Sequence, residues 1–118
     1  MLREMFKSKI HMATVTETVL EYEGSIGIDY DLMLAADLLP DEKVMVANVN
    51  TGERLETYVI EAPAGSGTIS LNGAAARSAQ TGDRVIILSF CMIDENEARL
   101  MKPAVVHVDG DNRQVRKG

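Results

Sequence analysis

Val44-Met45-Val46-Ala47-Asn48-Val49, followed by Asn50-Thr51-Gly52 and then Glu53-Arg54-Leu55-Glu56-Thr57-Tyr58-Val59-Ile60, is the clearest local signal in the chain. Val44 to Val46 open a strand, Asn50-Thr51-Gly52 turns it, and Leu55 to Ile60 returns. A short glycine-containing loop between two such runs marks a β-hairpin. Upstream, Thr14, Val15, Thr16, Thr18 and Val19 crowd branched side chains into residues 10–19, which favours a long first strand over a helix. Gly24-Ser25 interrupts it and Ile26 to Ile28 resumes. Asp29 is then placed to cap a short helix over Tyr30 to Leu38, with Leu34 and Leu38 one turn apart and Pro40 as the stop. Downstream come a strand at Thr68 to Leu71 and a helical turn at Asn72-Gly73-Ala74-Ala75-Ala76. After the turn Thr81-Gly82-Asp83, Arg84 to Ile93 reads as a buried strand, Asp94 to Leu100 as a helical turn capped by Asp94, and Ala104 to Val108 as a last strand. Asp109 to Gly118 is a polar tail. Many short strands joined by brief helices predict a mainly β chain closed into a small barrel, not a doubly wound sheet.

With 118 residues the chain holds one domain, spanning 1–118, and 46% hydrophobic with 25% charged residues excludes disorder. The longest apolar stretch, Val85 to Ile93, falls far short of the roughly 20 residues of a membrane-spanning helix. Arg3, Glu4, Lys7 and Lys9 break up the first ten residues, so no signal-peptide core forms and a cytoplasmic address is expected. One cysteine, Cys91, builds neither a disulfide framework nor a thiolate metal cage and is expected to pack in the core. A net charge of −6 with 4% aromatic residues removes both the cations and the stacking platforms that nucleic-acid binding requires.

Several familiar chemistries have no anchor here. Gly65-Ser66-Gly67-Thr68-Ile69-Ser70 begins like a dinucleotide-binding turn but lacks its third glycine and the helix that should follow. No Gly-Lys-Ser/Thr loop, His-Glu-x-x-His pair or Cys-x-x-Cys occurs, which leaves nucleotide and zinc chemistry without ligands. His11 and His107 lie too far apart in sequence to be assigned to one site, and each reads as a strand residue with a satisfied ring.

Taken singly, Gly24-Ser25 is a common turn dipeptide, Thr57 a strand residue, Arg54 a solvated hairpin arginine and the alanines after Gly73 plain helix formers. Their order changes the reading. Lys9-x-His11, Tyr22-x-Gly24-Ser25-x-x-Ile28-Asp29, Arg54-x-x-Thr57-Tyr58, Gly65-Ser66-Gly67 and Asn72-Gly73-Ala74-Ala75-Ala76 follow one another along the chain. This set resembles the aspartate 1-decarboxylases, bacterial carboxy-lyases that make β-alanine and carbon dioxide from L-aspartate for pantothenate and coenzyme A biosynthesis. The resemblance implies a six-stranded double-psi β-barrel assembled into homotetramers with active sites between subunits, and a zymogen that cleaves itself between Gly24 and Ser25. Cleavage is either spontaneous or assisted by a maturation helper protein. Ile26, Arg77-Ser78 and an early C-terminus depart from some relatives but lie outside the implied chemistry.

The implied cofactor is a pyruvoyl group made from Ser25, with no metal and no pyridoxal phosphate. Gly24 has no side chain to shield its carbonyl, so Ser25 Oγ could approach that carbonyl in a strained turn and undergo an N-to-O acyl shift. Elimination from the ester would release Gly24 as a carboxylate, and hydrolysis of the dehydroalanine would leave a ketone able to form a Schiff base with the substrate amine. Backbone strain holds about 1–3 kcal/mol, whereas a roughly 10⁴-fold acceleration needs about 5.4 kcal/mol. The remainder falls to positioning and to an oxyanion donor, for which the resemblance implies Thr57. It further implies Arg54 and Lys9 as partners of the substrate carboxylates and Tyr58 as proton donor to Cα. Asn72, Gly73, Ala74 and Ala75 are implied to hold the substrate and the pyruvoyl region. Because adjacent strand residues face opposite ways, Thr57 and Tyr58 reach one site only through a bulge or by serving different subunits. The alternative is an uncleaved, catalytically silent barrel acting as a binding or assembly module.

Overall fold

The computed structural model describes residues 1–116 and is mainly β. Its strands are β1 (Leu2–Thr14), β2 (Glu17–Val19), β3 (Ser25–Asp29), β4 (Lys43–Asn48), β5 (Arg54–Ala62), β6 (Ile69–Asn72), β7 (Arg84–Asp94), β8 (Ala104–Val108) and β9 (Gln114–Val115). Two short helices, α1 (Tyr30–Ala35) and α2 (Glu95–Leu100), and a 3₁₀ turn at Gly73–Ser78 complete it. The expected hairpin is β4–β5, paired antiparallel from Lys43↔Tyr58 to Ala47↔Arg54.

Among the described residues the ladder runs β2-β6-β3-β5-β4-β7-β1-β8-β9, a nine-stranded sheet with unpaired ends in place of the expected closed ring of six. The seven strands read from the sequence become nine for two reasons. The first strand is divided at Val15-Thr16, where Val15 N–H still donates to Asp83 O in line with β7 while Thr16 N–H donates to Ile69 O beside β6. Within two residues the chain leaves one set of neighbours for another, so β1 and β2 are one path through two parts of the sheet. The polar tail also contributes: β9 pairs with β8, and Asn112 is buried, while residues 117 and 118 lie outside the described residues. The first strand starts at Leu2, not Ile10. Among the described residues Leu2 to Phe6 pair with β7 alone and stay largely exposed, so this ribbon tolerates charges that hide it from a hydrophobicity reading.

Alternation places the core. Val44, Val46, Val85 and Ile87 point inward with Ile10, Ile26, Ile28, Val59, Ile69, Leu71 and Val106, while Leu32 and Met33 of α1 pack against them. Cys91 is half-buried, its Sγ 3.8 Å from Met101 Sδ, and not a full core residue. Helix α1 stops before Leu38, and Pro40 is not what ends it. Asp37 takes a left-handed φ of 54°, its N–H donates to Leu34 O, and Leu38 N–H donates back to Met33 O. This Schellman closure turns Leu38 inward and leaves Leu34 exposed, so the two do not share a face. Asp29 caps α1 as expected, its side chain accepting from Asp31 N–H at 2.8 Å. Among the described residues no helix is long and apolar enough to cross a membrane.

Candidate active site

Gly24-Ser25 stands where β3 begins, and that start opens a cleft. The parallel pairing of β3 with β5 begins at Ile26↔Val59. Before Val59, therefore, β5 has β4 on one side and, among the described residues, no strand on the other. The cleft of about 480 Å³ along this free edge is lined by Gly24, by Leu55, Glu56, Thr57 and Tyr58, and by Ala74, Ala75 and Ser78 of the 3₁₀ turn. Four consecutive β5 residues border it because it meets the strand edge-on. Thr57 and Tyr58 thus share one cleft although β5 carries no register shift against β4, and no bulge is required.

Ser25 is completely buried. Its hydroxyl donates to Glu23 O at 2.9 Å, and Asn72 Nδ2 donates to Ser25 Oγ at 3.0 Å. Asn72 opposes Ser25 directly in the β3/β6 ladder, which fixes this contact in register. The side chain that reaches Ser25 is thus Asn72, while Thr57 is held at the cleft wall. Glu23, whose carbonyl takes the serine proton, was not picked out by sequence because a backbone acceptor leaves no compositional trace.

The strained turn expected at Gly24 is not found there. Gly24 lies outside the left-handed region, and a side chain built on it would touch nothing within 4 Å. The special glycine is Gly73, with φ of 64°, where a Cβ would lie 2.6 Å from Tyr22 O, 2.7 Å from Gly24 N and 2.8 Å from Gly24 Cα. Gly73 therefore lets the 3₁₀ turn press against the backbone of Tyr22 and Gly24, just ahead of Ser25, a close backbone approach available only to glycine.

Lys9 and Arg54 are not brought into this cleft. Lys9 shares a cross-strand row with Leu88, Met45 and Glu56, three ladder steps from β5. At ~4.8 Å per step that is about 14 Å. Its ammonium lies 5.9 Å from the centre of the Phe6 ring. Arg54 is exposed at the start of β5. Glu56, at the cleft, is engaged by Lys43 Nζ at 2.5 Å, and this contact raises the lysine pKa.

His11 and His107, set apart by the sequence reading, meet in the structure. They are partners in the parallel β1/β8 pairing, with ring centroids 5.4 Å apart in an edge-to-face arrangement. Sequence distance hid this because β8 returns alongside β1 after nearly the whole chain. No cluster of three or more His, Cys, Asp or Glu suited to a metal ion occurs among the described residues.

Residues 1–115 match the family model described as aspartate decarboxylase. The chain belongs to the aspartate decarboxylase family. It is 61% identical over 120 residues to the aspartate 1-decarboxylase of Pelotomaculum thermopropionicum, covering 100% of this chain and 91% of that protein. To the aspartate 1-decarboxylase of Thermoanaerobacter pseudethanolicus it is 55% identical, covering 98% of each. Among solved structures, the rationally designed protein mkDPBB_sym_86, a double-psi β-barrel, superposes with a TM-score of 0.50 at 15% identity, covering 65% of this chain and 90% of the design. That likeness concerns the fold alone and supports a double-psi architecture within the nine-stranded sheet.

Proposed function

We propose that this chain cleaves itself between Gly24 and Ser25 and, with the pyruvoyl group so formed, decarboxylates L-aspartate to β-alanine and carbon dioxide. Membership of the family supports the reaction, and the geometry at Ser25 is the observation that carries the cofactor. A solvent-exposed turn serine would have water as its partner. Here the hydroxyl is buried between one acceptor, Glu23 O, and one donor, Asn72 Nδ2, beside a backbone kept accessible by Gly73. Those surroundings fit a serine that is to be converted in place.

When formed, the group supplies a carbonyl that takes up the substrate amine and accepts the electrons released as the α-carboxylate departs. Thr57 offers a hydroxyl at the cleft for the oxyanion of the cleaving peptide, and Tyr58, on the same strand edge, delivers a proton to Cα. Asn72, Gly73, Ala74 and Ala75 confine the substrate, the small residues giving its polar ends access to backbone. Arg54 grips a carboxylate with two parallel hydrogen bonds and Lys9 adds a second positive charge. Since Lys9 lies about three strands from its own chain's cleft, it serves the cleft of a neighbouring copy, in keeping with a homotetramer whose sites lie between subunits. The silent-module reading has no use for a buried Ser25–Asn72 contact beside an open cleft.

The test is to incubate purified wild-type protein and Ser25→Ala with L-aspartate and measure β-alanine by chromatography. Wild type is expected to produce it and Ser25→Ala to produce none. Turnover by Ser25→Ala would refute the assignment of the cofactor to this residue.

A further inference from the structure

Behind Ser25 three buried side chains form a row ending on the main chain. Ser70 Oγ lies 2.8 Å from Asn72 Oδ1, Asn72 Nδ2 lies 3.0 Å from Ser25 Oγ, and Ser25 Oγ lies 2.9 Å from Glu23 O. Ser70 is 4% exposed, Asn72 3% and Ser25 0%, so water does not compete for these groups. The donors can be worked out from the far end. Glu23 O only accepts, so it takes the one hydroxyl proton of Ser25. Ser25 Oγ then has only lone pairs left and must face the amide NH2 of Asn72. That turns Asn72 Oδ1 toward Ser70, which must give its proton to it.

We infer that Ser70 is a positioning residue for self-cleavage, locking the Asn72 amide with its donor toward Ser25 Oγ. The inference rests on the processing proposed above and adds a residue to it. In the acyl shift, Ser25 Oγ bonds to the Gly24 carbonyl carbon, the Gly24–Ser25 C–N bond breaks, and the hydroxyl proton ends on the Ser25 nitrogen. In the elimination, Ser25 Cα loses its proton, the Cα–Cβ double bond forms and the Cβ–Oγ bond breaks. Gly24 leaves as a carboxylate carrying Oγ. Water then replaces the nitrogen, which departs as ammonia. Negative charge gathers on Oγ as Cβ–Oγ breaks, and an NH2 at hydrogen-bond distance stabilises it, whereas an amide turned over would present a lone pair. Glu23 O and Ser25 Oγ call for the NH2 on that side, and the Ser70 proton holds the amide there by satisfying its buried Oδ1, which would otherwise be left without a donor. Ser70 is itself fixed, paired to Gly27 of β3 on one side and Glu17 of β2 on the other. Gly27 leaves that side of the ladder without a side chain.

The experiment follows the appearance of fragments 1–24 and 25–118 by intact mass in wild type, Ser70→Ala, Ser70→Thr, Asn72→Ala and the Ser70→Ala/Asn72→Ala double variant, with a melting curve for each. Ser70→Ala is expected to cleave about tenfold more slowly, and Ser70→Thr, which keeps the proton, to stay within about threefold of wild type. The double variant is expected to be no slower than Asn72→Ala, since Ser70 acts only through that amide. Should Ser70→Ala fail to melt cooperatively, Ser70→Cys retains the volume with a weak donor and is expected to be slow as well. Wild-type cleavage by a folded Ser70→Ala, or a full further slowing in the double variant, would overturn the inference while leaving the processing intact. A wild type that never cleaves would overturn both.

Discussion

Replacing Asp29 by alanine removes the carboxylate that ties three parts of the fold together. One oxygen accepts from Asp31 N–H at 2.8 Å and Gly65 N–H at 3.0 Å, and the other accepts from Gly67 N–H at 2.8 Å. The cap on α1 is worth about 1 kcal/mol. The Gly67 N–H is buried, and leaving it without an acceptor costs about 1–3 kcal/mol more, while water can replace the carboxylate at the part-buried Gly65. A loss of about 2–4 kcal/mol follows, which for a domain of this size lowers the melting temperature by about 8–16 °C. The loss should also depend on pH. Burial alone would raise the Asp29 pKa, but the N–H donors of Gly67, Asp31 and Gly65, with the charge of Arg113, outweigh it and hold it below its ordinary value of 3.8. Between the lowered folded value and the unfolded one, the unfolded chain binds more protons, so stability rises with pH. The wild-type advantage is complete above about 3.8 and fades as pH falls through the folded value. Melting curves of wild type and Asp29→Ala at neutral pH and near pH 3 measure both effects. A gap below about 1 kcal/mol at neutral pH, or one that does not shrink in acid, would refute this reasoning.

Gly73→Ala should abolish cleavage, because its Cβ would lie 2.6–2.8 Å from the backbone of Tyr22 and Gly24 at a φ of 64°; intact mass and circular dichroism together separate a blocked site from an unfolded chain. Arg54→Ala is expected to cleave normally and lose turnover, since Arg54 is exposed and away from Ser25; normal turnover in a steady-state assay would remove it from the substrate. Asn112→Ala should lower stability by about 2–4 kcal/mol in chemical denaturation. Its side chain holds Thr14 N–H and both Thr14 O and Gly67 O, and alanine tolerates its left-handed φ of 58° poorly.

Much of the fold was legible because it rests on local signals. The Val44–Ile60 hairpin, the caps at Asp29 and Asp94 and the turn after Asn72 all follow from short patterns of side chains. What escaped depends on distant partners. The outer half of β1 is an exposed ribbon whose pairing to β7 leaves no apolar run, and the handover at Val15-Thr16 is set by Asp83 and Ile69, far away in sequence. The sequence pattern carries α1 on to Leu38, about one turn past its end, because a left-handed Asp37 leaves a weaker sign than Pro40. At the site, the ordered motifs named Gly24, Ser25, Thr57, Tyr58 and the Asn72–Ala75 turn, which the structure gathers around one strand edge. The same motifs named Lys9 and Arg54, which this chain does not bring there, because order along the sequence does not fix how many strands separate two residues across the sheet. The glycine under constraint is Gly73, since close approach to the Tyr22–Gly24 backbone is decided by tertiary contact.

The mass of the purified protein after prolonged warm incubation bears most directly on whether Ser25 is consumed to make the electrophile. Two pieces are predicted, with the larger one, beginning at residue 25, lighter by one ammonia replaced at its first residue than a serine terminus requires, and reactive toward hydrazine. An unbroken chain that still forms β-alanine, or a large piece that keeps an ordinary serine amine, would contradict the account.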